Sequence, residues 1–91
     1  MGYWLYIVEC ADGTYYTGIA TDVQRRLSEH NGIKPKGARY TSARRPVSLV
    51  FEMAFPTRSE ASKHEARIKS MTRQQKRHMV ELARNASVKD A

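Results

Sequence analysis

Residues 15–30 constrain the fold of this chain more than any other stretch, because they read as a strand followed at once by a helix. The first five of them, Tyr15–Ile19, are mostly aromatic or β-branched, as strands prefer. Thr21 with Gln24 three residues on is the capping-box pattern of a helix start, and Asp22 adds negative charge to the first helical turn. The stretch therefore predicts a strand, a short turn and a helix.

The helix predicted after this turn carries two polar side chains on one face. Arg26 and His30 are four residues apart, so they share a face, while Val23 and Leu27 form an apolar stripe beside them. We expect the Tyr16 phenol on the preceding strand to meet two guanidiniums, those of Arg25 and Arg26, and the His30 imidazole at one place. We interpret this stretch as a phosphate-handling catalytic element.

The length and composition of the chain favour one modest domain. Its 91 residues suffice for a single core, and no apolar run approaches the ~20 residues of a membrane span. The N-terminal residues do not have the pattern of a signal peptide. Cys10 is the only cysteine, which excludes a disulfide framework and a cysteine-rich metal site. We expect one domain over residues 1–84, a disordered tail over 85–91 and a cytoplasmic location.

The formal net charge is +7, and the positive charge is concentrated in one segment. Residues 1–23 contain no Lys or Arg, whereas residues 24–45 contain seven against a single Glu. A cationic face on a small domain is typical of a nucleic-acid binder; a solubilising surface and a face for an acidic protein are the alternatives. We expect the nucleic acid to be DNA, and the residues that we expect to contact it are Arg25, Lys34, Lys36, Arg39, Tyr40, Arg44 and Arg45.

The N-terminal strand is predicted to be central in a small sheet. The side chains of Tyr3–Glu9 point alternately to the two faces of the strand, and both sets are mainly apolar, as in a strand covered on both faces. Residues 11–14 supply a turn in which Gly13 can take a positive φ, so the first two strands form a hairpin. A loop with an odd number of residues puts Tyr6 and Tyr16 on the same face, whereas a two-residue loop separates them.

A segment rich in Gly, Pro, Lys and Arg follows the first helix. Over residues 31–46 it breaks any regular element, and its basic side chains suit contact with a phosphate backbone. The third strand is predicted over Val47–Met53. Its alternation places Val47, Leu49 and Phe51 on one face.

Two helices complete the predicted fold. Thr57 and Thr72 each precede a Glu or Gln by three residues, which is again the capping-box pattern. We expect the first helix to end near Lys69 and the second near Arg84, with Leu82 buried. The order strand, strand, helix, strand, helix, helix predicts an α+β fold, in which helices pack against a small, mainly antiparallel three-stranded sheet.

Glu65 is the acidic residue best placed for chemistry. It falls in the helical stripe that Ala61 and Ile68 form, where a carboxylate is costly unless it is paired or bound to a metal. Pairing with Lys69 at the edge of the stripe is the alternative. The sequence excludes a zinc cluster and a Gly-rich phosphate loop. A site with one carboxylate suits Mg²⁺ (or Mn²⁺), because magnesium binds through one or two carboxylates plus substrate phosphate.

The order of these residues resembles the GIY-YIG endonuclease family. Its first motif matches residues 4–6, Trp-Leu-Tyr, and its second matches residues 16–18, Tyr-Thr-Gly. The family's arginine, histidine and metal-binding glutamate match Arg26, His30 and Glu65. Residues 39–47 also resemble small stand-alone members of the YhbQ (UPF0213) type. The resemblance extends over roughly residues 3–80 and is carried by the ordered set of motifs rather than by either tripeptide.

The resemblance implies a metal-dependent endonuclease that hydrolyses phosphodiester bonds in DNA, in repair or processing. In this role Tyr16 is the general base for a water, Glu65 holds one divalent ion and Arg26 neutralises the non-bridging oxygens. Tyr6 and His30 orient the reacting groups or relay protons. These assignments come from the resemblance and not from the spacing of the residues.

The chain also departs from the family pattern. Trp4, Leu5 and Thr17 stand where the two motifs have glycine, isoleucine and isoleucine, and Ile19 stands where the repair-incision members resemble one another in carrying lysine. A non-catalytic module that binds DNA or RNA on a nuclease scaffold is therefore an alternative. A basic protein-interaction domain, whose tyrosines pack in the core, is another.

Overall fold

The computed structural model describes residues 2–32, 41 and 43–90, with the backbone alone described over 85–90. These residues include three strands and three helices in the predicted order, an α+β fold. The strands are β1 (Tyr3–Glu9), β2 (Tyr15–Ala20) and β3 (Ser48–Phe55). The helices are α1 (Val23–Asn31), α2 (Arg58–Lys69) and α3 (Arg73–Asp90).

β1 is the central strand, as predicted, in an antiparallel sheet of order β2-β1-β3. Its inner residues are exposed by no more than 2%, because both faces of the sheet are covered. On one face Tyr6 and Val8 pack with Val23 of α1. On the other face Leu5 and Ile7 pack against residues of α2 and α3. The two apolar sets that the sequence shows along β1 therefore serve two separate cores.

The hairpin loop between β1 and β2 has an odd number of residues. Residues 10–14 separate the strands, and Gly13 takes a φ of 83° in the turn. The register pairs Val8 with Tyr16 and Tyr6 with Gly18, so the two tyrosines project from the same face. The prediction that an odd loop brings them together is confirmed.

β3 contains a bulge that the sequence does not predict. Ile7 pairs with Phe51 but Val8 pairs with Leu49, so Val50 is an extra residue on β3. Leu49 consequently packs on the α1 face of the sheet and Phe51 on the opposite face. The prediction that these two side chains share a face is wrong, because the bulge reverses the alternation.

The helix starts follow the capping pattern with one correction. Asp22 rather than Thr21 caps α1, since its backbone is extended and its Oδ1 accepts the Arg25 backbone N–H at 3.1 Å. A carboxylate at this position also interacts favourably with the helix dipole. The threonine caps of α2 and α3 are confirmed: the hydroxyls of Thr57 and Thr72 accept the backbone N–H three residues on at 3.2 and 3.1 Å. At α3 the box is complete, because the Thr72 backbone N–H donates to Gln75 Oε1 at 2.9 Å.

α3 differs from its prediction in length and in orientation. It continues to Asp90, beyond the predicted end near Arg84, into the segment expected to be a disordered tail. Val80 is the buried residue, and Leu82 is 57% exposed, so the predicted burial of Leu82 is wrong. The two positions lie about 200° apart around a helix, so they cannot both face the sheet. The domain boundary at residue 84 stays a prediction.

Across the described helices, none combines the length and the apolar character that a bilayer crossing requires.

Thr17 offers a test of the packing between β2 and the helices. Its hydroxyl is a buried side-chain oxygen without a hydrogen-bond partner among the described residues. An unsatisfied buried polar group costs about 1–3 kcal/mol, and valine has the same shape without the hydroxyl. We expect Thr17→Val to raise the free energy of unfolding by about 1 kcal/mol in urea denaturation. The exposed Thr21→Val serves as control, and a loss of stability in Thr17→Val would contradict the packing described.

Candidate active site

Polar residues from three elements meet on the face of the sheet that packs against α1. Tyr6 projects from β1 and Tyr16 from β2, and both rings contact His30 of α1. Arg26, one turn earlier on the same helix, acts on the Tyr6 phenol through a hydrogen bond and through its charge. The structure thus brings together Tyr6, Tyr16, Arg26 and His30, as the helix spacing and the odd hairpin loop predict.

His30 is the centre of this cluster and is only 1% exposed. Its Nε2 lies 2.8 Å from the Tyr6 hydroxyl oxygen, and its Nδ1 lies 2.7 Å from Thr41 Oγ1. Tyr6 and Thr41 are themselves 2% and 0% exposed. The three side chains form a continuous, fully buried row of hydrogen-bonding groups, which fixes the imidazole at both nitrogens.

The protonation states of Tyr6 and His30 determine which group donates in each hydrogen bond of this row. Burial raises the pKa of Tyr6, although Arg26 opposes the shift, so the phenol keeps its proton at neutral pH. Burial, followed by the charge of Arg26, lowers the pKa of His30, so the imidazole is neutral. Because Arg26 already donates to the Tyr6 oxygen, we infer that the phenol donates to Nε2. The Nδ1–H of His30 then donates to Thr41 Oγ1.

Arg26 is held in place by a carboxylate on its own helix. Its Nη1 lies 3.1 Å from Glu29 Oε1, and the two side chains are 28% and 26% exposed. Burial by itself lowers the pKa of Arg26, but the hydrogen bonds and charges of Glu29 and Tyr6 outweigh it, and the net shift is upward. The site therefore has a fixed positive charge beside the Tyr6 phenol.

Gly18 determines how closely Tyr6 can lie against β2. A Cβ at this position would stand 2.5 Å from the Tyr6 hydroxyl oxygen and 2.7 Å from the Cζ of its ring. Real side chains do not tolerate such distances, so the Tyr6 ring can cross β2 only where there is no side chain. The glycine of the second motif is thereby explained by packing, because Tyr6 and Gly18 are cross-strand partners.

Glu65 approaches the site from a different element, α2. Its side chain is 25% exposed, and its Oε2 lies 3.6 Å from Lys69 Nζ, the pairing that the sequence left open as an alternative. Its negative charge also raises the pKa of Tyr6, so the carboxylate lies within electrostatic range of the phenol. The structure therefore shows the pairing with Lys69, and it places Glu65 within electrostatic range of Tyr6.

The donor set suits a hard divalent ion bound through one carboxylate. Among the described residues, no group of three or more His, Cys, Asp and Glu side chains converges. Lys69 is 53% exposed, and such an ion pair contributes only about 0–1 kcal/mol, so a cation can replace the lysine at Glu65. Mg²⁺ keeps several waters and completes its shell with substrate phosphate, which fits this single ligand.

Three of the residues expected to contact nucleic acid lie in the described part of the chain. Arg25 is exposed on α1. Arg44 pairs with Asp12 of the hairpin loop at 3.1 Å, and Arg45 donates to the Gly32 carbonyl. Arg44 and Arg45 thus anchor the basic segment to the domain. The others lie outside the described residues: Lys34, Lys36, Arg39 and Tyr40.

Sequence reasoning missed two members of the site. Glu29 is the single acid among residues 24–45 and stands three positions after Arg26, a spacing at which helical side chains meet, so it could have been found. Thr41 gives no local signal. It reaches His30 from a segment eleven residues further along the chain, and only the folded structure shows the contact.

The protonation of His30 predicts how stability depends on pH. Because the pKa of His30 lies below 6.5 in the folded state, the unfolded chain binds the proton first as pH falls. The His30 contribution is fully present above about pH 6.5 and is lost below it, with a slope of at most ~1.36 kcal/mol per pH unit. Urea denaturation between about pH 5 and 8 measures this slope. His30→Gln should flatten the profile, and an unchanged slope would contradict the assignment.

Known proteins are similar to this chain in sequence and in fold. Residues 2–78 match the GIY-YIG catalytic domain. A UPF0213 protein of Desulfotalea psychrophila is 54% identical over 78 residues, which cover 86% of this chain and 70% of the relative. A UPF0213 protein of Staphylococcus epidermidis is 51% identical over 79 residues, which cover 87% of this chain and 94% of the relative.

Two solved structures resemble the fold. The solution NMR structure of a UPF0213 protein from Bacillus halodurans has a TM-score of 0.58 and 44% identity, with 90% of this chain and 85% of that chain covered. The solution NMR structure of a protein from E. faecalis has a TM-score of 0.60 and 38% identity, with coverage of 91% and 88%. The chain therefore belongs to the GIY-YIG family of nuclease domains, and the UPF0213 proteins are its relatives there.

Proposed function

We propose that this protein is a cytoplasmic, metal-dependent endonuclease that hydrolyses phosphodiester bonds in DNA, in the repair or processing of that DNA. The observation that carries the proposal is the buried row at the site, in which Arg26, Tyr6 and His30 are joined by hydrogen bonds. A core tyrosine needs only one polar partner. A phenol held between a guanidinium and a neutral imidazole favours chemistry over packing.

The proposed reaction is attack of water on the phosphorus atom. Tyr16 acts with its phenol oxygen deprotonated: that oxygen takes a proton from the water while a new P–O bond forms, and the bond to the leaving oxygen breaks as that oxygen takes up a proton from solvent. Tyr16 then returns the proton it gained to solvent. Arg26 is fixed by Glu29 and neutralises the charge that grows on the non-bridging oxygens. Tyr6, held by His30, orients the Arg26 guanidinium through their hydrogen bond.

Glu65 is the residue that would hold a divalent ion, Mg²⁺ or Mn²⁺. When bound, the ion supplies Lewis-acid stabilisation of the phosphoryl oxygens. The positive surface that would hold the nucleic acid includes Arg25, with Arg44 and Arg45 at the base of the basic segment. Phosphate contacts of this kind give affinity without sequence preference and weaken as salt rises.

The test is cleavage of labelled single-stranded, duplex and branched DNA, with Mg²⁺ and with EDTA. Tyr16→Phe keeps the ring but removes the hydroxyl, and we expect a loss of about 10²- to 10⁴-fold, the usual contribution of a general base. Tyr15→Phe is the matched control, since Tyr15 is the neighbouring tyrosine on β2 and packs in the opposite core. Its cleavage rate should match wild type.

The outcomes separate the proposal from its alternatives. Metal-dependent cleavage that Tyr16→Phe abolishes and Tyr15→Phe retains supports it. Tight, salt-sensitive binding without cleavage of any substrate would favour a non-catalytic nucleic-acid-binding module instead. Absence of binding at moderate salt would favour a protein-interaction domain.

A further inference from the structure

Trp4 is an exposed aromatic residue on the central strand, next to the candidate site. It precedes Tyr6 by two residues on β1, so both side chains project from the same face of the sheet. The residues paired with Trp4 are Ala20 on β2 and Ala54 on β3. Two alanines cannot cover an indole, and Trp4 is 36% exposed although both neighbouring strands are in place.

A groove of about 330 Å³ opens beside this indole. Its lining residues are Trp4, Thr21, Asp22, Val23, Gln24 and Glu52. Glu52 is the β3 residue paired with Tyr6, and paired residues of an antiparallel sheet stand about 4.5–5.5 Å apart at Cα. The groove therefore opens on the same face of the sheet as Tyr6.

The chemistry of the lining points to one class of ligand. None of the described lining residues is basic, and two are acidic, so the groove repels a phosphate group. An indole face beside carboxylate oxygens suits a flat ring that carries N–H donors. Asp22 already uses Oδ1 to cap α1, whereas no described residue pairs with the Glu52 carboxylate. Glu52 is thus the acceptor available to a ligand.

We propose that Trp4 and Glu52 form a subsite for one unpaired nucleobase with an exocyclic amino group, on the face of the sheet that carries the candidate active site. The base stacks on the indole, and its amino N–H donates to Glu52. A base in a duplex already uses that edge, so the subsite selects nucleic acid that is single-stranded at this position. This inference rests on the proposed function, because the base would belong to the strand that the site on the same face would cleave.

The sole tryptophan of the chain reports directly on this subsite. We would titrate the protein in EDTA with ten-residue oligonucleotides of deoxycytidine and of thymidine and follow indole fluorescence. The amino-bearing deoxycytidine strand should quench the emission and bind about 5- to 100-fold more tightly than the thymidine strand. By anisotropy of a labelled strand, Trp4→Ala should weaken binding about 5- to 100-fold, and Trp4→Phe should restore much of the loss.

Two controls match the substitutions. Glu52→Gln should remove the preference for deoxycytidine, whereas Glu81→Gln makes the same change of charge on exposed α3 and should keep it. Met53→Ala truncates an exposed apolar side chain whose partner, Leu5, belongs to the opposite core, and it should leave binding unchanged.

The subsite would be established if binding quenches the indole emission, if the deoxycytidine strand is preferred, and if Glu52→Gln alone removes that preference. This conclusion would stand even if no strand is cleaved and the nuclease proposal fails. Cleavage by a protein whose indole emission does not change on binding would overturn the subsite and leave the nuclease proposal standing. Equal affinity for both strands would also overturn it. If no oligonucleotide binds, both proposals fail.

Discussion

We expect Glu65→Gln to lower DNA cleavage by about 10³-fold or more, while the fold and the affinity for nucleic acid are retained. Glutamine keeps the size of the side chain but removes the charge that would hold a divalent ion. A bound ion contributes several kcal/mol of charge stabilisation, and each ~1.36 kcal/mol is tenfold in rate. The fold should be unaffected, because the carboxylate's ion pair is with the half-exposed Lys69.

Two variants on α2 test whether the loss of cleavage comes from the charge of Glu65 or from a change in the helix. Glu60→Gln removes an exposed carboxylate at the start of α2, and Lys69→Met removes the ion pair while it leaves Glu65 in place. Both should cleave at rates close to wild type. A calorimetric titration with Mg²⁺ in the presence of a non-cleavable strand should show binding that only Glu65→Gln loses. Retained cleavage in Glu65→Gln would remove Glu65 from the site.

Local patterns were sufficient to predict the parts of the fold that depend on neighbouring residues. The two apolar faces of β1 identified the central strand, and the parity of the loop placed Tyr6 with Tyr16. The capping boxes at Thr57 and Thr72 located two helix starts. Each of these features is decided within a few residues, by alternation, turn length or a side chain that caps its own helix.

Features that depend on distant partners were not predictable in this way. The bulge at Val50 arises from pairing with β1, and without it Leu49 and Phe51 share a face, as the sequence suggests. Val80 and Leu82 are both apolar residues on α3, and only packing against the sheet decides which one is buried. A sequence pattern gives the period of an element but not the direction in which its apolar face is turned.

The candidate site shows the same division. Arg26, His30 and Tyr16 come from one continuous stretch, so their meeting follows from the order strand, turn, helix. Glu65 and Thr41 come from elsewhere. The helical stripe indicated that Glu65 was unusual, but Thr41 became visible only as the second hydrogen-bond partner of His30.

We expect Gly18→Ala to destabilise the fold by about 1–3 kcal/mol or more, the cost of overpacking a filled core. The new Cβ would stand 2.5–3.0 Å from three atoms of Tyr6. The ring cannot swing away, because Tyr6 is 2% exposed and its hydroxyl is bonded to His30 at 2.8 Å. The sign of the effect is informative. In an open strand position, Gly→Ala normally stabilises by about 0.5–1 kcal/mol.

The same substitution should also reduce cleavage by about 10²-fold, the effect of a displacement of about 1 Å at a reacting centre. The strain is relieved only by small shifts of β2 or of the phenol, and either shift changes the bond to His30 and the position of the phenol relative to Tyr16. Urea denaturation and single-turnover cleavage of the same preparation measure the two effects separately. Cleavage is compared at a temperature where both proteins are fully folded.

A double-mutant cycle tests whether Tyr6 is the cause. In a Tyr6→Leu background the Cζ, Cε2 and hydroxyl oxygen that crowd the new Cβ are absent, so Gly18→Ala should cost much less or become stabilising there. The coupling free energy between the two positions then equals most of the destabilisation seen in the single variant. If Gly18→Ala is equally destabilising in both backgrounds, the glycine is needed for the backbone of β2 and not for the ring of Tyr6. The packing account of the second motif would then be wrong.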